Sequence, residues 1–240
     1  MSKVAFVTGG TRGIGEGVCT ALRDTGLTVV SNYVGDDANA AAFTERTGIE
    51  CFKFDVADFE SCGYFLDQII EKYGPIDVLV NNAGVTRDRK FSNMSPEEWQ
   101  TVLSINLGGA FNTCRLLFPK MMERNYGRIV NVSSVNGLSG QYGQANYTAA
   151  KSGMIGFTKT LALEGARHGI TANVIAPGYV ETDMLRNVPE KVMEKIIANI
   201  PVGRLAQAEE VARGVCFLAD ESAGFITGST LSINGGQFLH

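Results

Sequence analysis

The segment KVAFVTGGTRGIGEGVCTALRDTG, Lys3 to Gly26, passes from an apolar run through a glycine-rich turn into a mixed polar and apolar stretch. The run KVAFVT shows no clean polar–apolar alternation, which predicts a strand buried on both faces. The stretch GIGEGVCTALRDTG reads as a helix. Between them lies TGGTRGIG, Thr8 to Gly15. In such a turn Gly9 permits a tight bend and Gly13 lets the backbone approach a pyrophosphate. Gly15 allows close packing of helix on strand, while Ile14 and the other residues opening the helix supply free N–H groups and positive potential. The spacing GxxxGxG is one residue wider than the GxGxxG fingerprint. Glycine-rich turns punctuate every α/β protein, so it is the strand before and the helix after that make this one a dinucleotide-binding candidate.

The same rhythm continues along the chain. Strands are expected at 27–33, 49–54, 76–81, 127–133, 170–176 and 229–234, with helix-like segments such as SCGYFLDQIIEKYG between most of them. Strand, helix and strand in succession argue for a parallel sheet covered on each side. The expectation is a single α/β domain over residues 1–240: a Rossmann-type, doubly wound, seven-stranded and mostly parallel sheet with helices on both faces. A length of 240 residues suffices for one large core.

Composition excludes several classes of function. The formal net charge is −4, so there is no basic surplus to neutralise nucleic acid. No apolar stretch approaches the roughly 20 residues that span a bilayer, and the start MSKVAFVTGG has no signal-peptide pattern. A soluble protein is expected. The five cysteines, Cys19, Cys51, Cys62, Cys114 and Cys216, contain no CxxC pair. They fit buried thiols in a reducing cytoplasm better than disulfides or a zinc site. Two histidines, His168 and His240, make a histidine triad or a metal centre improbable, and no metal is expected.

The end of the second strand bears on cofactor choice. A fold that prefers NAD places an acidic side chain there to accept from the adenosine ribose. This chain reads VVSNYVGDD, with Ser31, Asn32 and Tyr33 at that point. Arg12, in the turn, is suited to an additional 2′-phosphate. NADPH is therefore the expected cofactor. Asp36 and Asp37 would reverse the preference if either reached the ribose; the plainer reading is that they cap or solvate the next helix.

A second informative stretch is SSVNGLSGQYGQANYTAAK, Ser133 to Lys151. Of seven tyrosines only Tyr147 has a lysine four residues on. On a helix this spacing brings both side chains to one face. An ammonium beside a phenol favours the phenolate and lowers its pKa from about 10. Alone, such a pair reads equally well as an exposed helix pair.

It does not stand alone. TGxxxGxG at Thr8–Gly15, NNAG at Asn81–Gly84, Ser134 thirteen residues before Tyr147, and Pro177–Gly178 followed by Thr182 occur in order. Over essentially all 240 residues the chain resembles the short-chain dehydrogenase/reductases. The string GQANY and the late NGG resemble the 3-oxoacyl-thioester reductases within them, and SSVNG with GQYGQANY resembles those acting on acetoacetyl-CoA.

The resemblance implies NADPH-dependent reduction of acetoacetyl-CoA to (R)-3-hydroxybutyryl-CoA, as in polyhydroxyalkanoate synthesis. Tyr147 would donate the proton to the keto oxygen and Ser134 would hydrogen-bond that oxygen. Lys151 would hold the nicotinamide ribose and tune Tyr147, and Asn106 would relay protons through water. Asn106 reads otherwise as a turn residue beside Gly108 and Gly109. Gly9, Arg12, Gly13, Ile14, Gly15, Asn32, Asp55, Asn82, Ala83, Gly84, Pro177, Gly178, Val180 and Thr182 would surround the cofactor. Asp88, Gln141, Gln144 and Tyr179 would border the acyl-CoA thioester. Residues 183–204 would form a substrate lid, and the protein would be a homotetramer in the cytoplasm.

Alternatives remain. A serine hydrolase is disfavoured because no GxSxG elbow occurs. A non-catalytic NADPH-binding protein would be expected to lose Tyr147 or Lys151. Acyl-carrier-protein reductases resembling this chain carry basic residues where Asn125 and His168 stand, although Arg124 and Arg167 adjoin. Loss of those cations favours a CoA thioester.

Overall fold

The computed structural model describes residues 2–182 and 189–239. Every one of the seven expected runs contains a strand: β1 Val4–Val7, β2 Thr28–Tyr33, β3 Glu50–Lys53, β4 Ile76–Asn81, β5 Gly127–Val132, β6 Ile170–Pro177 and β7 Thr230–Ile233. They form one sheet in the order β3-β2-β1-β4-β5-β6-β7. Every pairing in it is parallel, so the mostly parallel sheet expected is wholly parallel.

Parallel strands need crossovers, and these place helices on both faces. The apolar strand runs therefore serve two cores. Val4, Phe6, Leu79 and Ile129 face one core, with α3 (Phe59–Tyr73), α5 (Gly109–Arg124) and α7 (Ala145–Gly165). Ala5, Val7, Val80 and Val130 face the other, with α1 (Gly13–Asp24), α2 (Asp37–Thr47) and α9 (Ala208–Ala219). The remaining α-helices among the described residues are α4 (Pro96–Leu103), α6 (Asn136–Ser139) and α8 (Glu190–Ala198). From β1 the chain winds outward to β2 and β3, then returns to place β4 on the other side of β1. The crossovers diverge there and leave a crevice beyond the carboxyl ends of β1 and β4.

Two local features differ from the sequence reading. Gly15 packs on the turn itself, because a Cβ there would meet the Gly9 carbonyl oxygen at 2.2 Å. The close approach of helix to strand falls instead at Gly10, where a Cβ would meet Ser31 Oγ at 2.2 Å and Cys19 Sγ at 2.5 Å. The stretch ANYTAAKSGMIGFTKTLALEGARHG, residues 145–169, has the composition of one helix, yet α7 ends at Gly165 and a 3₁₀ turn follows over Ala166–His168. Gly169 then adopts φ +65° and passes close to Asn125, whose carbonyl oxygen a Cβ would meet at 2.5 Å.

Gly10→Ala should lower stability by about 1–3 kcal/mol through overpacking between α1 and β2. Urea unfolding checks this, and a variant as stable as the parent contradicts that packing.

Candidate active site

The turn after β1 is built for an anion. Gly9 and Gly13 both adopt positive φ, +65° and +56°. Arg12 precedes α1 with no side-chain cap, and among the described residues no side chain accepts the first N–H groups of the helix, beginning at Gly13 and Ile14. NNAG is stapled to this turn. Thr8 Oγ1 accepts the N–H groups of Asn82 and Ala83, each at 2.9 Å, and Asn82 Nδ2 donates to the Thr8 and Gly9 carbonyls at 3.0 and 3.1 Å. A Cβ on Gly9 would lie 3.2 Å from Ala83 Cα, and one on Gly13 would lie 3.3 Å from Thr182 Cγ2. Glycines where chain segments nearly touch, beside unpaired helix N–H groups, fit a pyrophosphate and its nucleosides.

At the end of β2, Asn32 is 2% exposed and both ends of its amide are engaged. Its Oδ1 accepts the Gly9 N–H at 3.0 Å, and its Nδ2 donates to the Phe54 carbonyl at 2.8 Å. Asn32 thus braces the turn from beneath. Asp36 caps α2 by accepting the Asn39 N–H at 2.9 Å. Asp37 meets Lys53 Nζ at 2.8 Å and accepts from the Tyr33 hydroxyl at 3.0 Å. These contacts account for both carboxylates, and Arg12 is exposed. Asp55 accepts the Ala57 N–H at 2.9 Å, closing the turn after β3.

Across the crevice, the end of β5 and the first turns of α7 are joined by three side chains. Ser133 Oγ donates to the Lys151 carbonyl at 2.8 Å, Lys151 Nζ donates to the Val132 carbonyl at 2.7 Å, and Ser152 Oγ donates to the Gly137 carbonyl at 2.6 Å. Lys151 is buried, 2% exposed, and burial lowers its pKa to about 8. Its ammonium lies 5.6 Å from the centre of the Tyr147 ring. Burial raises the Tyr147 pKa, and a hydrogen bond with Ser134 opposes that rise. This corrects the expectation that Lys151 would draw the phenol downward. Nζ is directed to the Val132 carbonyl and lies against the ring, and desolvation outweighs any help it gives the phenolate.

Asn106 lies in a π-helical turn, Ser104–Gly108, between α4 and α5. Its Oδ1 accepts the Val85 N–H at 2.8 Å and its Nδ2 donates to the Val85 carbonyl at 3.0 Å. A Cβ on Gly84 would lie 3.2 Å from Asn106 Oδ1 and 3.6 Å from Lys151 Nζ. Gly84, Asn106 and Lys151 therefore share one small space.

The mouth is formed by residues 86–90 and 140–146. Gln144 Nε2 donates to Asp88 Oδ2 at 2.9 Å. The Arg89 N–H donates to the Gly143 carbonyl at 2.8 Å, and buried Asn146 donates to the Arg87 carbonyl at 3.0 Å. Gln141 is exposed beside them, and Tyr179 lies within electrostatic reach of Asp88. Pro177 ends β6, and its carbonyl accepts the Val135 N–H at 2.7 Å. Gly178 passes so close to Asn234 that a Cβ would lie 2.9 Å from its Cα. Buried Val180 pairs with Ala206. Of the expected lid, residues 183–188 lie outside the described residues; α8, which follows, buries none of its side chains. Asn136 and Asn146 carry bonds that no role was read for, although both stand in the stretch quoted above. Amide side chains have no periodicity that announces a partner.

The chain is similar in sequence to known proteins over its length. A family profile described as enoyl-(acyl carrier protein) reductase matches residues 9–237. The acetoacetyl-CoA reductase of Rhizobium meliloti (strain 1021) is 54% identical over 240 residues, covering all of both chains. That of Paracoccus denitrificans is 56% identical over 241 residues, again covering both completely. The 3-oxoacyl-(acyl-carrier-protein) reductase of Escherichia coli (strain K12) is 41% identical over 239 residues, 99% of this chain and 98% of that one.

Lys151 should titrate near pH 8. Since the unfolded chain holds that proton to about 10.5, folding expels it between these values, and this group alone makes stability rise with pH in that window. A lysine side-chain NMR titration, assigned with Lys151→Arg, checks the value. A midpoint near 10.5 would show the ammonium to be solvated.

Proposed function

The chain belongs to the short-chain dehydrogenase/reductase family, and from that premise we propose that it reduces acetoacetyl-CoA to (R)-3-hydroxybutyryl-CoA with NADPH. It is an oxidoreductase, and its family uses a nicotinamide cofactor. The observation that carries the reading is the hydrogen bond between Ser134 and Tyr147 with buried Lys151 against the same ring. Relatives that share more than half of this sequence over its full length and are named acetoacetyl-CoA reductase support the substrate.

NADPH supplies the hydride when bound in the crevice. The chain's own residues handle the charge that develops on the keto oxygen. Tyr147, with its pKa held up by burial, stays protonated at neutral pH and gives its proton to that oxygen. Ser134 donates a second hydrogen bond and stabilises the developing oxyanion. Lys151 presents its ammonium below the ring to the ribose hydroxyls, while Asn106 holds the wall behind it and completes the water route to Lys151. The glycines at 9, 13 and 15 with Ile14 seat the pyrophosphate, and Asn32 braces them. Asn82, Ala83 and Gly84 line the cofactor; Asp55 borders the adenine; Pro177, Gly178, Val180 and Thr182 orient the nicotinamide.

Preference for NADPH is supported by the engagement of Asp36 and Asp37 elsewhere and by the exposure of Arg12 in the turn, a guanidinium suited to a 2′-phosphate. Asp88, Gln141, Gln144 and Tyr179 border the thioester, and α8 with the segment after it, to residue 204, closes over it. A carrier-protein substrate is disfavoured by the state of Arg124. Its guanidinium is tied to Asp77 at 2.6 Å and to the Ile76 carbonyl at 2.6 Å, which reduces its attraction for an acidic partner. A homotetramer is supported by apolar side chains left exposed on α7 (Leu163) and around β7 (Phe225, Leu239).

Tyr147→Phe should lower kcat by about 10²–10⁴-fold while NADPH affinity stays within about twofold. Retention of most turnover would remove the proton-donor role. Reduction should fall as pH rises through about 8, as Lys151 loses its charge; a flat profile to pH 10 opposes that. Acetoacetyl-CoA should exceed an acetoacetyl carrier protein in kcat/KM, and the reverse order would transfer the chain to the carrier-protein reductases.

A further inference from the structure

A chain of hydrogen bonds runs from the rim of the cleft to Ser134. Gln144 Nε2 donates to Asp88 Oδ2 at 2.9 Å, Asn136 Nδ2 donates to Gln144 Oε1 at 2.9 Å, and the Asn136 N–H donates to Ser134 Oγ at 3.2 Å. Asp88 is exposed, Gln144 is half-buried, and Asn136 and Ser134 are 8% and 9% exposed. The directions of the two side-chain links follow from Asp88, and the third donor is a backbone N–H, which only donates. An ionised carboxylate only accepts, whereas each amide can present either end. Asp88 therefore requires Nε2 from Gln144, which leaves Oε1 facing inward. Asn136 must answer with Nδ2, and this holds its peptide where the N–H reaches Ser134. With one lone pair of Ser134 Oγ engaged by that N–H, the hydroxyl hydrogen stays available for donation on the side where Ser134 meets Tyr147.

We propose that Asp88, Gln144 and Asn136 form a relay that fixes the Asn136 peptide against Ser134 and so keeps the Ser134 hydroxyl available as a donor, with Asn136 as a positioning residue acting through Ser134. The relay deepens the reading above and rests on it, because a donor is needed at Ser134 only where charge develops on a carbonyl oxygen. It also assigns Gln144 a task besides bordering substrate, since both ends of its amide are engaged. A thioester seated in the mouth screens the outer Asp88–Gln144 bond from water and strengthens it. Ser134 is then most firmly held when substrate is present.

The test is a double-mutant cycle with Asn136→Ala and Asp88→Asn. The second change keeps shape but removes the obligate acceptor, and it lies on the surface, where folding is not at risk. NADPH oxidation is followed with acetoacetyl-CoA and with ethyl acetoacetate, which has no CoA portion to touch the rim. NADPH affinity and melting temperature are measured alongside. Asn136→Ala should cut kcat about tenfold with KM changed less than about twofold. Asp88→Asn should lower kcat for both substrates. The double variant should lose no more than the worse single, because either change breaks the same relay. Losses that multiply, an unchanged kcat in either single variant, or a rise in KM alone would overturn the relay. A parent protein that reduces neither ketone would sink the relay and the functional reading together, whereas an active parent with multiplying losses sinks the relay alone.

Discussion

The ammonium of Lys151 is buried and bonded to the carbonyl of Val132, the last residue of β5. A charge out of water needs a fixed partner, and here the partner is a strand end whose position is set by the whole sheet. Ser133 Oγ returns the contact to the Lys151 carbonyl. This two-way staple places the start of α7 over the end of β5. Tyr147 then stands one turn before Lys151, and Ser134 stands two residues beyond Val132. The proposed chemistry depends on that one placement.

Around the staple the neighbours are shaped by how little room remains. Gly84 has no side chain where one would press on Asn106 and Lys151. Asn106 takes a π-helical turn and clamps Val85 by both amide ends, which fixes the segment leading from NNAG to the mouth. Between β1 and β4, Thr8 and Asn82 bind the two halves of the crevice together across the point where strand order reverses. Such a crevice is a consequence of parallel winding. The residues lining it are short because two segments approach one another there.

Much of the fold was legible in the sequence because its signals are local. Seven apolar runs of strand length recur between helical segments, and burial on both faces of a parallel sheet produces that pattern without reference to tertiary detail. The order of TGxxxGxG, NNAG, Ser134, Tyr147 with Lys151, and Pro177–Gly178 was legible for the same reason. Less legible was how each side chain spends its hydrogen bonds. Asn32 reads as a residue facing the ribose, yet its amide is consumed below the turn by Gly9 and Phe54. Asp36 and Asp37 read as possible ribose partners, yet Asn39, Lys53 and Tyr33 hold them.

The sequence by itself determined the layered α/β architecture and the glycine turn that opens α1, since periodicity and glycine placement are properties of neighbouring residues, and its motif order singled out Ser134, Tyr147 and Lys151 as the proposed reactive set. Only the tertiary structure decided the electrostatics of that set. Spacing alone brings an ammonium near a phenol and predicts a lowered pKa. Folding buries both, turns the ammonium to Val132, and leaves the phenol raised. Only the tertiary structure decided, too, that Asn136 lies between Gln144 and Ser134. Which groups lose water and which amides meet depends on segments far apart in the chain, and no local pattern records it.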